Sequence, residues 1–211
     1  MYTINAVPFG GFVKIFGEDS KSPMSDIGEN VDKERSFQYK PKWIQALVLV
    51  AGVFMNLIFA WLLISLGFMI GLSSLHLPIH LALVEGARAT IFLTKGTILG
   101  LGSFLKNIIL FKADFSEVSG IVGIAGIFSV ATSLGFTHIT SLVALISINL
   151  AVINLIPFPV LDGGRLLFVF IEGIIRRPMP VKVVKYANAV GFVFLLVLMV
   201  AVTGHDIFKL L

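Results

Sequence analysis

Apolar and charged positions divide this chain into long charge-free runs separated by polar segments. Three runs contain no Asp, Glu, Lys or Arg, and they predict transmembrane helices at about 43–72, 138–160 and 186–203. Each is long enough, because crossing a hydrocarbon core of roughly 30 Å takes about 20 residues. The pattern therefore predicts an all-α protein that crosses the bilayer several times.

Two further apolar segments, 91–111 and 121–136, are less clear. Lys and Gly residues interrupt the first, and the second is short and rich in Gly. Either both segments cross the membrane, or both lie at its surface or re-enter it, because a single crossing would contradict the charge pattern described below. The sequence alone leaves both positions open.

The segment before the first run differs in character. Aromatic and β-branched residues flank Gly10-Gly11, which predicts a β-hairpin, since a tight hairpin turn needs positive φ. A polar stretch at 17–35 then predicts a loop. We therefore expect two regions: a cytoplasmic-side hairpin and loop over 1–42, and a transmembrane core over 43–211.

Composition supports a membrane protein and excludes other classes. Hydrophobic residues make up 57% of the 211 residues and charged residues 13%, whereas a soluble domain carries about 25% charged residues. The absence of cysteine excludes disulfides and thiolate metal sites. The net charge of +4 comes from scattered Lys and Arg. We therefore expect membrane lipid as a partner and no nucleic acid.

The segment between the second and third runs, 161–185, is basic. It contains Arg165, Arg176, Arg177, Lys182 and Lys185. By the positive-inside rule this segment lies in the cytoplasm. The first run then leaves the cytoplasm and the second returns to it, and the lysines that precede the first run fall on the cytoplasmic side as well. We expect a multi-pass protein of the cell (inner) membrane.

Asp162 is the outstanding candidate for chemistry, because charges beside membrane helices are costly and are often functional. It follows Pro157 and Pro159, which break the helix, and precedes Gly163 and Gly164. An acidic side chain at a broken helix end suits a cation such as Zn²⁺. The alternative is a loop aspartate that caps a following helix at 165–175.

The surrounding residues carry a family resemblance. Segment 154–164 reads Asn-Leu-Ile-Pro-Phe-Pro-Val-Leu-Asp-Gly-Gly, which closely resembles the Asn-x-x-Pro-x-Pro-x-Leu-Asp-Gly-Gly signature of site-2-type intramembrane zinc metalloproteases. Segment 51–56, Ala-Gly-Val-Phe-Met-Asn, is similar to the Ala-Gly-x-x-x-Asn of the family's second core helix. Segments 5–14 and 119–124 are similar to the family's membrane-associated β-hairpin and its Ser-Gly-Pro-Val-Gly-Ile motif, with Ile121 in place of proline.

This resemblance implies a protease that cleaves membrane-embedded segments of other proteins with zinc as cofactor. It implies that Asp162 is the third zinc ligand, at the cytoplasmic end of the helices, and that Asn56 and Asn154 face the active-site cavity. Hydrogen bonding between helices is the alternative role for both asparagines. Residues Gly10, Gly11 and Phe12 of the hairpin are expected to bind substrate.

The chain departs from the family because the His-Glu-x-x-His motif, which supplies two zinc ligands and the general base, does not occur in the sequence. The histidines at 76, 80, 138 and 205 lie too far from Asp162 to bind the same metal ion. They therefore cannot replace the missing motif. Segment 73–119 is also too short and too apolar for the PDZ domain that many members insert. We expect a truncated or split protease that is inactive alone; in the split case a separate partner chain carries His-Glu-x-x-His. The alternatives are a non-catalytic pseudoprotease that binds membrane segments and, less favoured, a small transporter.

Overall fold

The computed structural model describes residues 40–71, 77–110 and 120–210. In this part of the chain the secondary structure is entirely helical. The helices are α1 Lys42–Ile70, α2 Ile79–Ile109, α3 Ile121–Leu134, α4 Phe136–Asn154, α5 Asp162–Ile175 and α6 Val181–Leu210. The predicted hairpin, with Gly10, Gly11 and Phe12, lies outside the described residues.

Three of these helices are long and apolar enough to cross a membrane: α1, α4, and α6 over Val181–Asp206. This confirms the three predicted transmembrane helices, although their ends differ from the prediction. Helix α4 ends at Asn154 and not at 160, because proline lacks a backbone N–H and its ring disfavours the helical conformation of the preceding residue. Helix α6 begins earlier than predicted, since residues 181–185 form its basic first turns.

Helix α1 lies at the centre of the fold and packs against α2, α4 and α5. Its first half lies beside the end of α4, so these two helices run in opposite directions. A small apolar cluster joins them, formed by Ala60, Ile64, Ala144, Ile148 and Val152. Small residues on both helices let the backbones approach closely, which is how membrane helices gain packing energy without a hydrophobic driving force between them.

Helix α2 runs antiparallel along α1. A Cβ at Gly86 would lie 2.1 Å from Ser65 Oγ, so only glycine fits this crossing. Nearby, Trp61 Nε1 donates a hydrogen bond to the Leu83 carbonyl at 2.9 Å. Helix α2 contains most of the uncertain segment 91–111, and α3 contains most of 121–136. By length and composition neither is among the candidate crossings in the described residues.

Helix α3 is anchored by a carboxylate from the end of α6. Asp206 is 7% exposed, and its Oδ2 accepts hydrogen bonds from the backbone N–H groups of Gly120 at 2.8 Å and Gly123 at 3.0 Å. These groups are among the unpaired donors at the start of a helix, where negative charge is also favoured by the helix dipole. Asp206 therefore caps α3 from a distant part of the chain.

We expect Asp206→Ala to free the start of α3 and to destabilise the fold by about 2 kcal/mol, the upper range for loss of a helix cap. Amide hydrogen exchange checks this: exchange should accelerate in α3 and stay slow in α1. The matched variant Asp206→Asn keeps an acceptor oxygen, so it should preserve most of the protection. Equal exchange in α3 of the wild type and Asp206→Ala would show that the cap is energetically unimportant.

Candidate metal-binding site

The chain between α4 and α5 is an irregular loop held by local hydrogen bonds. The Phe158 N–H donates to the Ile156 carbonyl at 2.7 Å, and the Leu161 N–H donates to the Phe158 carbonyl at 3.2 Å. Val160 has φ of 82°, which is a strained conformation for a β-branched residue. Its N–H donates to Asn188 Oδ1 at 3.3 Å, which fastens the loop to α6. The loop is therefore fixed by its neighbours in spite of its strain.

Two glycines let α5 begin directly against this loop. A Cβ at Gly163 would lie 2.2 Å from the Ile156 carbonyl oxygen, and one at Gly164 would lie 2.1 Å from the Phe158 carbonyl oxygen. Both glycines are buried and both have ordinary negative φ values. The Gly-Gly pair is thus required by close packing and not by an unusual backbone conformation.

Asp162 is the first residue of α5, and its carboxylate faces α1 at Gly52. A Cβ at Gly52 would lie 3.9 Å from Asp162 Oδ2. The carboxylate is half-buried and accepts no hydrogen bond within the described residues, and burial raises its pKa above the ordinary value. The capping alternative does not hold, because α5 begins at Asp162 and Leu161 occupies the N-cap position. Asp162 therefore presents an unengaged oxygen ligand beside α1.

The two predicted asparagines lie on α1, which faces Asp162 at Gly52, and on α4, which precedes the loop. Asn56 lies one helical turn beyond Gly52, about 6 Å along the same face of α1. Asn154 is the last residue of α4. Both are half-buried, and neither side chain hydrogen-bonds another described residue. A different asparagine joins α2 to α4: the Thr97 hydroxyl donates to Asn149 Oδ1 at 3.2 Å.

The histidines do not complete a metal site around Asp162. Among the described residues, no group of three or more His, Asp or Glu side chains lies close enough together to hold a metal ion. His138 is in the first turn of α4, about 24 Å along the helix from its end at Asn154, and His205 is near the end of α6. His76 lies outside the described residues. The described part of the chain thus offers a single candidate ligand, Asp162.

An ion pair that the sequence did not reveal fastens α5 to α1. Glu172 Oε2 pairs with Lys42 Nζ, and the Glu172 side chain is 15% exposed. Its Oε1 also accepts a hydrogen bond from the Met179 N–H at 2.8 Å. Asp162 and Glu172 therefore contact α1 ten residues apart, near Gly52 and Lys42 respectively. The available sequence signal was a second acidic residue, besides Asp162, within the basic segment 161–185.

An apolar cavity of about 340 Å³ lies between α1, α2 and α4, next to the α4–α5 loop that precedes Asp162. Val53 and Leu57 line it from α1, and Leu155 and Ile156 line it at the start of the loop. Side chains from the second half of α2, between Thr94 and Leu105, form the opposite wall. The cavity is therefore adjacent to Gly52, the residue of α1 that faces Asp162.

The chain is similar in sequence to a family of known proteins. Residues 1–198 match the family described as Peptidase family M50. The Regulator of sigma-W protease RasP of Bacillus subtilis is 37% identical over 129 residues, which cover 61% of this chain and 30% of that protein. The Zinc metalloprotease RasP of Shouchella clausii is 44% identical over 104 residues, 48% of this chain and 25% of the relative. The chain therefore aligns with only about a quarter to a third of these relatives.

Proposed function

This chain belongs to peptidase family M50, the site-2 proteases, and we propose that it forms the aspartate-bearing part of an intramembrane zinc protease. The observation that carries the proposal is the approach of Asp162 to Gly52. It joins the two segments that most resemble family motifs, 51–56 and 154–164, although more than a hundred residues separate them in the sequence. Contact between such distant segments is a feature of the tertiary fold and not of a local turn, and it supports the proposal.

The donor set fits one position of a catalytic zinc site. Such a site uses three protein ligands and keeps a fourth position for water. Asp162 supplies a half-buried carboxylate that no described residue engages. Two further ligands and a general base would come from a His-Glu-x-x-His segment outside these 211 residues. When bound, zinc supplies a water molecule activated for attack on a peptide bond.

The neighbouring residues of this chain position the substrate in this proposal. Asn56 near the middle of α1 and Asn154 at the end of α4 provide polar groups on the two helices that meet at the site, and they can hydrogen-bond an extended peptide. The apolar cavity lined by Val53 and Leu57 accepts side chains of a membrane-embedded substrate. Hairpin residues Gly10, Gly11 and Phe12 bind the substrate strand. The site lies at the cytoplasmic end of the helices, since the basic segment 161–185 follows it.

The test is to purify the tagged protein from its own cell membranes in mild detergent. We expect about one zinc ion per assembly, a His-Glu-x-x-His segment on the same or a co-purifying polypeptide, and cleavage of a reporter that contains a transmembrane helix. Removal of the metal with 1,10-phenanthroline should abolish cleavage, and added Zn²⁺ should restore it, because zinc provides the nucleophile.

The contrary result is equally specific. A pure protein that contains no zinc, brings no His-Glu-x-x-His segment and leaves the reporter intact would contradict the protease proposal. If it still retained the reporter helix on an affinity column, the alternative of a non-catalytic protein that binds membrane segments would replace it.

A further inference from the structure

A second, larger cavity lies beside the α4–α5 loop. It is an apolar groove of about 650 Å³ between this loop and α6. Phe158 and Pro159 form its loop side. The α6 side is a single stripe of side chains, spaced as on one helix face: Lys182, Val183, Tyr186, Ala187, Val190, Gly191 and Phe194. This surface has no role in the zinc site.

The groove has a defined floor and a fixed shape. A Cβ at Gly191 would lie 2.8 Å from Pro159 Cβ, so glycine is needed for α6 to approach the loop here. The rings of Phe158 and Phe194 pack with centroids 5.6 Å apart. Because these contacts join the loop and the helix, the groove is a built feature of the fold and not a gap between loosely packed elements.

The groove is polar at one end only. Lys182 lies at the end nearest the α5–α6 turn, Arg176 and Arg177 lie in that turn, and Lys185 follows in the first turns of α6. All four side chains are exposed, and none forms an ion pair with another described residue. Basic residues at the end of a membrane helix attract anionic lipid headgroups. The positive charge at this end favours an anionic group, and the apolar lining of the groove favours a long apolar chain attached to it.

The dimensions and surroundings match a phospholipid. From Lys182 to Phe194 the groove runs about 18 Å along α6, which is close to one leaflet, or about half of the roughly 30 Å hydrocarbon core. Helix α6 is also the least buried of the three candidate membrane spans. Within its most apolar stretch 11% is buried, compared with 22% for α1 and 33% for α4. We infer that the groove binds one anionic phospholipid, with an acyl chain along α6 and the phosphate at Lys182.

Lipid binding to the intact protein tests this inference. Native mass spectrometry in mild detergent would compare dioleoylphosphatidylglycerol with dioleoylphosphatidylcholine. We expect one phosphatidylglycerol to bind at least fivefold more tightly than phosphatidylcholine. Lys182→Gln should weaken phosphatidylglycerol binding about fivefold, the effect of one lysine near a membrane surface, and leave phosphatidylcholine unchanged. The control Lys95→Gln, which removes an exposed cation from α2, should have no effect.

A second pair of variants tests the acyl-chain site. Ala187→Phe should fill the groove and reduce the binding of both lipids, whereas Ala189→Phe, on an exposed position of α6 outside the groove, should not. Val190→Trp provides a replacement if Ala187→Phe does not fold, because Val190 is 69% exposed. Equal affinity for the two lipids, or equal effects of Lys182→Gln and Lys95→Gln, would overturn the inference. So would unchanged lipid binding in the variants that fill the groove, which would point to another occupant such as a protein helix.

Discussion

Asp162→Asn is expected to abolish zinc retention and proteolysis by the assembled enzyme without unfolding this chain. Asparagine has nearly the same shape, but it lacks the anionic oxygen through which an aspartate binds zinc. Loss of an outer-sphere partner already lowers metal affinity about 10- to 100-fold, so loss of a ligand should exceed 100-fold. The fold should persist, because burial disfavours the charged form of Asp162 and asparagine avoids that cost.

Zinc competition with a chelator and thermal unfolding of the metal-free protein measure the two parts of this prediction. Glu85→Gln is a suitable control, since Glu85 is an exposed residue on α2 that pairs only with Arg88 three residues away. It removes one negative charge and should leave zinc affinity unchanged. Full zinc retention by Asp162→Asn would remove Asp162 from the metal site, and a large fall in its melting temperature would assign it a structural role.

Gly164→Ala is expected to be strongly destabilising, because it forces a methyl group against the backbone of the α4–α5 loop. The new Cβ would lie 2.1 Å from the Phe158 carbonyl oxygen, 2.6 Å from its carbon and 3.0 Å from the Pro159 nitrogen. All three are backbone atoms next to a proline, so they cannot move away as a flexible side chain could. Overpacking costs about 1–3 kcal/mol and occasionally more, and we expect about 3 kcal/mol here together with displacement of Asp162.

Gly173→Ala is the matched control within the same helix. No atom lies within 4 Å of a Cβ at Gly173, and alanine is favoured over glycine in a helix interior by about 1 kcal/mol. The melting temperature should therefore fall for Gly164→Ala and rise slightly for Gly173→Ala, and zinc affinity should fall only for the first. Similar melting temperatures for both variants would show that α5 can move away from the loop at little cost.

The sequence predicted the membrane helices well because their signal is local. A charge-free run of sufficient length is itself the physical requirement for crossing the bilayer, and this was enough for α1, α4 and α6. Helix α2 was harder, since Glu85, Arg88 and Lys95 interrupt its apolar pattern. Its partnership with α1 depends on the fit of Gly86 against Ser65, which no property of the α2 segment alone reveals.

The candidate site was predicted in part. The motif at 154–164 identified Asp162, and a separate motif identified the segment around Gly52, but their proximity results from the packing of α5 on α1. The pairing of Glu172 with Lys42 and the cap provided by Asp206 were missed, because both join residues far apart in sequence. The sequence still marks both acidic residues as unusual for their positions. Glu172 lies in a basic segment, and Asp206 follows a long apolar run.

The anchoring of α3 by Asp206 has a consequence for biosynthesis. Gly120 leaves the ribosome 86 residues before the carboxylate that will hold it. At about 5–20 residues per second, roughly 4–17 s pass before that carboxylate is made. During this interval the start of α3 has no cap, so its docking must wait until α6 has entered the bilayer. Synthesis of the end of α6 is therefore the event that allows α3 to take its place.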